Sequence, residues 1–279
     1  QLGFYAACAR EYGDVVPVRF GPRRGLLLYH PDAIEEVLVT RNRDFIKSPG
    51  VRLLSRLLGN GLLLSEAGTW LRQQRLLQPA FHRQRVAVYG EVMTSLTVRR
   101  LADWRDGDVL DAHAEMMALT QAIVAKTLFD ADVSDESYAI AQASNVMIED
   151  FGKRLGSLFQ LLPDWVPTPA NLRTRRAIRR LDEVVYRMIA ARRLGREDRG
   201  DLLSILLHAQ DADDGSRMTA RQVRDEVMTL FLAGHETTAV ALSWTWYLLS
   251  QHPEVDGRLG DELCSVLGGR PPRVADLPR

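Results

Sequence analysis

The chain has 279 residues, of which 46% are hydrophobic and 26% charged, an ordinary globular composition with enough length for a sizeable core. Its 36 basic residues balance its 36 acidic residues, which excludes a global electrostatic attraction to nucleic acid or to an anionic membrane. The two cysteines, Cys8 and Cys264, lie far apart and form no CxxC pair. Neither a zinc site nor a disulfide framework is therefore predicted.

The N-terminal sequence shows no secretory signal or membrane anchor, and it begins at Gln1 rather than at methionine. Nearly all basic residues are arginine, with lysine only at positions 47, 126 and 153, which is typical of a GC-rich bacterial genome. We therefore expect a cytoplasmic, bacterial protein.

The first 45 residues mix helix and strand. We predict a helix, a β-hairpin and a second helix, at Leu2–Tyr12, at Val15–Phe20 paired with Leu26–Tyr29, and at Ala33–Thr40. Residues 21–25 are expected to form a longer hairpin loop. Residues 46–64 are rich in glycine and leucine without a clear period, which predicts a loop with short helical pieces.

From residue 65 onward nearly every segment has a helical pattern. The predicted helices are 70–78, 84–104, 111–129, 135–155, 172–193, 201–210, 225–252 and a last one ending at 267. A proline-rich stretch at 163–169 is predicted to be a stiff, extended connector. No internal repeat or linker is apparent, so we expect one mainly α domain over residues 1–279, with a small N-terminal β-hairpin.

The helix predicted at 225–252 has an unusual centre. It contains no proline and would be roughly 40 Å long, with apolar residues on almost every side, as in a helix buried in a large core. Its middle instead contains Gly234, His235, Glu236, Thr237 and Thr238. Polar groups halfway along a buried helix indicate a functional site.

The spacing of these residues places small side chains together. Ala233, Gly234, Thr237 and Ala241 share one helix face over two turns, so a flat ligand could lie close to the backbone. The Thr237 hydroxyl can bond back to the carbonyl of residue 233, which tends to bend or open a helix. Glu236 projects about 100° from Thr237, so the two could exchange protons with each other or with a water.

This helix has three other interpretations. His235-Glu236 begins an HExxH zinc-protease pattern, but Ala239 occupies the second histidine position, which excludes it. The run is long enough to span a membrane, but a central carboxylate costs about 2.5–3.5 kcal/mol there, and no second span exists. A buried helix whose polar groups are satisfied locally remains open.

A second informative stretch runs from Trp70 to Gln78. The indole of Trp70, the amide of Gln74 and the guanidinium of Arg75 lie along one side of the predicted helix. Such donors suit the carboxylates of a buried cofactor. The stretch is equally consistent with a core tryptophan flanked by solvated arginines.

Together these motifs resemble the cytochrome P450 monooxygenases. Ala233–Thr238 is similar to the family's distal-helix motif, and Trp70, Pro79 and Phe81 match its helix that binds the heme propionates. The His-Pro-Glu turn after the central helix and Gly-Gly-Arg-Pro-Pro at 268–272 follow in the family's order. Gln74 departs from the pattern, because the family usually has arginine or another basic residue there; Arg72 and Arg75 are the candidates to replace it.

The resemblance implies heme b as cofactor and specific roles for these residues. Glu236 and Thr237 would be catalytic, since Thr237 would position a water and Glu236 would gate the proton supply during O2 activation. The residues expected to contact the cofactor are Trp70, Gln74, Arg75, Ala233, Gly234 and Thr238. By the same resemblance, the connector 163–169 would form a lid over the substrate entrance.

The family's Phe-x-x-Gly-x-Arg-x-Cys loop and its Glu-x-x-Arg helix are both absent. Cys8 and Cys264 lack the flanking glycine and arginine. We interpret the chain as a fragment truncated at both ends, inactive alone, whose iron-ligating cysteine lies outside it.

The complete enzyme would insert one oxygen atom from O2 into a small apolar substrate. Its electrons would come from NAD(P)H through a ferredoxin or flavoprotein reductase. No nucleic acid, and no membrane contact within this chain, is expected. The alternatives are a non-catalytic helical protein that binds apolar partners along Ala233–Ala241, and a truncated, inactive gene product.

Overall fold

The computed structural model of the protein describes residues 2–20, 23–48, 51–130, 146, 166–195, 201–211 and 215–277. All but one residue of the helix predicted at 135–155, and residues 163–165 of the predicted lid, lie outside these ranges. The backbone forms two compact units, residues 1–48 and 49–279.

The first unit contains helix α1 (Leu2–Tyr12), strands β1 (Val15–Phe20) and β2 (Arg23–Leu28), and helix α2 (Pro31–Glu35). The antiparallel strands pair in register from Val15 opposite Leu28 to Phe20 opposite Arg23. The longer loop expected at 21–25 is therefore wrong, because residues 23–25 lie in β2 and two residues join the strands. Ladder hydrogen bonds evidently outweigh the weak strand propensity of Arg-Arg-Gly. Helix α2 widens into a π-helical turn at Glu36–Thr40, within the predicted helix.

The second unit is mainly helical in the part that is described, with an isolated β-bridge between Gln210 and Arg217. A 3₁₀ turn at Val51–Leu54 and helix α3 (Ser55–Leu58) occupy the predicted loop. Helix α4 (Ala67–Leu77) ends in a 3₁₀ turn at Gln78–Phe81 that contains Pro79. The remaining helices are α5 (Arg83–Ala102), α6 (Ala112–Phe129), α7 (Pro169–Gly195), α8 (Leu202–His208), α9 (Ala220–Gln251) and α10 (Pro253–Leu267). The mainly α prediction is confirmed.

The core of this unit surrounds the first half of α9. Side chains from α3, α4, α6, α7, α8 and α9 form one apolar cluster that includes Leu58, Leu77, Leu128, Leu181, Leu202 and Val223. Thr219 begins α9 with a capping box, because its hydroxyl accepts from Gln222 N while the Gln222 side chain accepts from Thr219 N. Helix α6 packs along α9, from His113 beside Ser243 to Val124 beside Gly234.

Burial of α9 is uneven along its length. Val223 and Glu226 are 0% exposed, whereas Trp244 is 60% and Tyr247 is 54% exposed. The expectation of a helix buried on almost every side is correct only for the first half. In the second half one side is covered, since Ala239 is 0% exposed and Ser243 Oγ lies 3.4 Å from His113 Nδ1 of α6, whereas the side that carries Trp244 and Tyr247 is exposed. Within the described ranges, no helix combines the length and apolar composition needed to cross a membrane.

Candidate functional site

A strip of small residues is exposed on α9. Ala233, Thr237, Thr238 and Ala241 are all exposed, as the helical spacing predicts. On the same line of the helix, the exposed Trp244 bounds the strip at its C-terminal end. We call the surface of Ala233, Thr237, Thr238 and Ala241 the open face. It is flat, because none of its side chains is larger than threonine.

The threonine hydroxyls on the open face are directed into the helix itself. Thr237 Oγ1 donates to the carbonyl oxygen of Ala233 over 2.7 Å, and Thr238 Oγ1 donates to that of Gly234 over 2.9 Å. The predicted back-bond of Thr237 is confirmed, while α9 remains a continuous helix from Ala220 to Gln251. Each hydroxyl uses its one hydrogen in this way, so its oxygen remains available as an acceptor for a water or ligand donor.

Gly234 lies between the open face and α6. A Cβ atom at this position would lie 3.0 Å from Val124 Cγ2, which is tighter than nearly all Cβ contacts in proteins. The absence of a side chain therefore allows α6 and α9 to approach closely. The expected contact of Gly234 with the cofactor stays a prediction. Close packing of two helices is a second role for Gly234, which the sequence alone did not indicate.

His235 lies on the opposite side of α9 and is 1% exposed. Its Nδ1 lies 2.8 Å from the Phe231 carbonyl oxygen, and its ring centroid lies 4.9 Å from that of Phe231. Burial lowers its pKa, against the opposing effects of the Phe231 hydrogen bond and the Glu236 charge. Thr120 Oγ1 of α6 donates to the His235 carbonyl oxygen over 3.0 Å. The neutral imidazole is thus part of the α6–α9 contact.

Glu236 is half-buried, and the helical geometry places it about 100° around α9 from Thr237. A carboxylate in this position can exchange protons with solvent while lying beside the open face. This arrangement agrees with the spacing argument from the sequence, although the catalytic roles of both residues remain predictions.

The expected cofactor donors on α4 differ in their surroundings. Trp70 is half-buried, and Gln74 and Arg75 are exposed. Arg72 is directed elsewhere: its Nε lies 2.8 Å from Asp211 Oδ2, and its Nη2 donates to Ser216 Oγ. Arg72, one of the two arginines expected to replace a basic residue at position 74, is therefore held by Asp211 and Ser216.

Sequence reasoning missed a polar cluster beneath the segment Leu57–Leu62, which leads from α3 towards α4. Three consecutive residues of α9 bind this segment. Arg224 Nη1 donates to the Leu57 carbonyl, Asp225 Oδ2 accepts from Asn60 N at 2.9 Å, and Glu226 Oε2 accepts from Leu62 N at 3.0 Å. From α4, Gln73 Nε2 donates to the Asn60 carbonyl over 2.8 Å.

The glycines of this segment are the signal that could have indicated the contact. Gly59 has a φ of +58°, and a side chain there would collide with the Asp225 carboxylate. A side chain at Gly61 would collide with that of Thr229. The Gly-Asn-Gly sequence is thus required where the segment lies directly against α9.

Comparison with known proteins shows similarity over nearly the whole chain. The cytochrome P450 family profile matches residues 2–279. Cyclooctatin synthase of Streptomyces melanosporofaciens is 38% identical over 277 residues, which are 99% of this chain and 60% of that protein. Pentalenene oxygenase of Streptomyces avermitilis is 36% identical over 269 residues, 96% of this chain and 59% of that protein.

Solved structures show the same similarity. The crystal structure of the cytochrome P450DA heme domain superposes with a TM-score of 0.87 at 27% sequence identity, over 100% of this chain and 62% of that one. The chain therefore spans about three fifths of the length of the proteins that it matches.

Proposed function

This chain belongs to the cytochrome P450 family, and we propose that the complete protein is a heme-thiolate monooxygenase that inserts one atom of O2 into a small apolar substrate. The observation that supports this activity best is the open face, where two threonines bond back to their own helix beside a half-buried glutamate. A flat ligand could lie against this face, and the carboxyl group of Glu236, the residue next to Thr237, lies beside it.

The residues of the chain fit a heme. Its flat apolar ring suits a surface without large side chains, and its carboxylates suit the amide of Gln74 and the guanidinium of Arg75, both exposed on α4. Trp70 adds an indole donor on that helix. We place the iron ligand outside this chain, since neither Cys8 nor Cys264 lies in the family's cysteine motif.

When bound, a thiolate-ligated heme supplies the electron density that favours cleavage of the O–O bond. The chain's own residues would manage protons and water. Because the Thr237 hydrogen is fixed on the Ala233 carbonyl, its oxygen can accept a hydrogen bond and so hold a water above the open face. Glu236 can then pass protons from solvent to that water. The exposed Trp244 would help to limit access of bulk water from the C-terminal end of the face.

The substrate class is proposed from the similar proteins. One is the pentalenene oxygenase, and another, 36% identical over 98% of this chain, is the cyclooctat-9-en-7-ol 5-monooxygenase of Streptomyces melanosporofaciens. We propose a substrate like pentalenene or cyclooctat-9-en-7-ol, reached in the cytoplasm, with electrons from NAD(P)H delivered by a ferredoxin or a flavoprotein reductase.

The test is expression of the complete protein followed by spectroscopy and turnover. We expect stoichiometric heme, a carbon monoxide complex with the absorption typical of thiolate ligation, and transfer of labelled oxygen from O2 into pentalenene or cyclooctat-9-en-7-ol. A complete protein that binds no heme would overturn the proposal and favour the non-catalytic alternative. Heme binding without turnover of either compound would contradict the substrate class alone.

A further inference from the structure

Glu226 is a buried carboxyl group without a charge partner among the described residues. It is 0% exposed, and among the described residues its hydrogen bond is the one that Oε2 accepts from Leu62 N. Its other oxygen, Oε1, is buried and has no donor within the same part of the chain. A carboxylate in such a place would lose its hydration without gaining a compensating contact.

Gln73 of α4 also has a buried oxygen atom without a donor among the described residues. It is 2% exposed, and its Nε2 donates to the Asn60 carbonyl, whereas its Oε1 is buried and has no donor. Gln73 binds the carbonyl of Asn60 and Glu226 binds the N–H of Leu62, two residues further along the same segment. Two acceptor oxygens that lack donors therefore border the stretch Asn60–Leu62, which itself lies directly on α9 at Gly61.

The charged groups nearby do not neutralise Glu226. Arg224 is engaged by Asp182, by Asp225 and by the Leu57 carbonyl. Asp225 adds a second negative charge beside Glu226. Burial, with a smaller contribution from Asp225, raises the pKa of Glu226 to about 7, although the Leu62 hydrogen bond acts in the opposite direction.

We propose that Glu226 and Gln73 form a buried proton-binding site. In it, the neutral carboxyl group of Glu226 donates its hydrogen to Gln73 Oε1, directly or through one enclosed water. This arrangement supplies a donor to Gln73 and removes the uncompensated charge from Glu226. It fixes Asn60–Leu62 between α4 and α9, so Glu226 and Gln73 act as positioning residues.

The location gives this site a consequence for the open face. Glu226 lies on the same line of α9 as Ala233 and Thr237, roughly 10 and 16 Å away along the helix axis. Glu226 binds Leu62 in the segment that Gln73 binds at Asn60, so it also helps to hold α4, with Gln74 and Arg75, against α9. The site itself does not depend on the proposed function, because its contacts involve only this chain.

Infrared spectroscopy of the complete protein tests the proton directly. Below pH 7 we expect a carbonyl band of a neutral carboxylic acid that shifts in heavy water, disappears in Glu226→Gln and persists in the exposed control Glu254→Gln. Gln73→Leu should shift this band towards the position of a weaker hydrogen bond. A spectrum without a band sensitive to Glu226→Gln would overturn the proposal.

Heme binding provides the readout for the positioning role. We expect heme affinity of the wild type to fall severalfold as the pH rises through 7, and Glu226→Gln to abolish that dependence because its amide donates at every pH. Glu226→Ala should lose affinity at every pH. Equal pH dependence in wild type and Glu226→Gln would overturn the positioning role.

If Glu226→Gln fails to fold, the pH titration of the wild-type infrared band and its shift in Gln73→Leu still decide whether Glu226 holds the proton. A wild type with the infrared band but no heme would contradict the proposed function instead.

Discussion

The two halves of α9 satisfy their polar groups in different ways. In the first half, Arg224, Asp225 and Glu226 bind partners on other elements, namely Asp182 of α7 and the segment Leu57–Leu62. In the second half, hydroxyls bond to carbonyls four residues earlier in the same helix, as do those of Thr237, Thr238, Ser243 and Thr245. Tertiary partners hold the charged groups of the first half, whereas the exposed threonines of the second half bond locally and leave their side of the helix open to a ligand. Substitutions should therefore affect stability in the first half and activity in the second.

The largest effect is expected for Arg224→Ala. The side chains of Arg224 and Asp225 are each 8% exposed, and removing the guanidinium leaves the Asp225 carboxylate buried without its cation. We expect a loss of about 3–5 kcal/mol in the free energy of unfolding, measured by denaturant titration of the complete protein. The matched control is Arg221→Ala, an exposed arginine one turn earlier, which should change stability by less than about 0.5 kcal/mol. Equal losses in both variants would show that the charged groups in the first half of α9 are not held as described.

The second prediction concerns the pH dependence of stability. The pKa of Glu226 is raised from 4.5 to about 7 in the folded protein, so the folded state binds more protons than the unfolded state between these values. Its contribution to stability is complete below pH 4.5 and declines as the pH rises through about 7, by about 3 kcal/mol in all. Subtracting the pH profile of Glu226→Gln from that of the wild type should isolate this decline. A flat difference would mean that Glu226 is already ionised in the folded protein.

The third prediction tests the open half. Thr237→Ala should slow product formation by roughly 100-fold, as expected when a positioned proton path is lost, while NAD(P)H consumption continues. Thr245→Ala is the matched control, because Thr245 is also exposed and donates to Ala241 in the same way, over 2.9 Å. Product formed per NAD(P)H consumed is the measurement. Unchanged coupling in Thr237→Ala would remove this residue from the catalytic group.

The smallest effect is expected on α4. Gln74→Arg supplies the basic residue that is usual in the family and should tighten heme binding about two- to fivefold, the value of an exposed ion pair. Gln78→Arg places the same charge one turn later, at another exposed position, and should leave affinity unchanged. The rate of heme transfer to an acceptor protein measures both. Equal tightening by the two variants would indicate a general charge effect rather than a contact at position 74.

The sequence by itself determined the features that depend on residues close together in the chain. Helical periodicity is enough to predict α4, α6 and α9, and the spacing of Ala233, Thr237 and Ala241 is enough to predict the open face. The back-bond of Thr237 also followed, since its partner lies four residues away. These features needed no information about the neighbours of a helix.

Tertiary structure decided the features that depend on distant residues. Asn60 and Asp225 meet across 165 positions of the chain, and no local pattern pairs them. The packing of Gly234 against Val124 depends in the same way on how helices meet. So does the binding of both Glu226 and Gln73 to the segment Leu57–Leu62. Burial along α9 was likewise unreadable from its apolar composition, because composition shows that a side chain can be buried but not whether another element covers it.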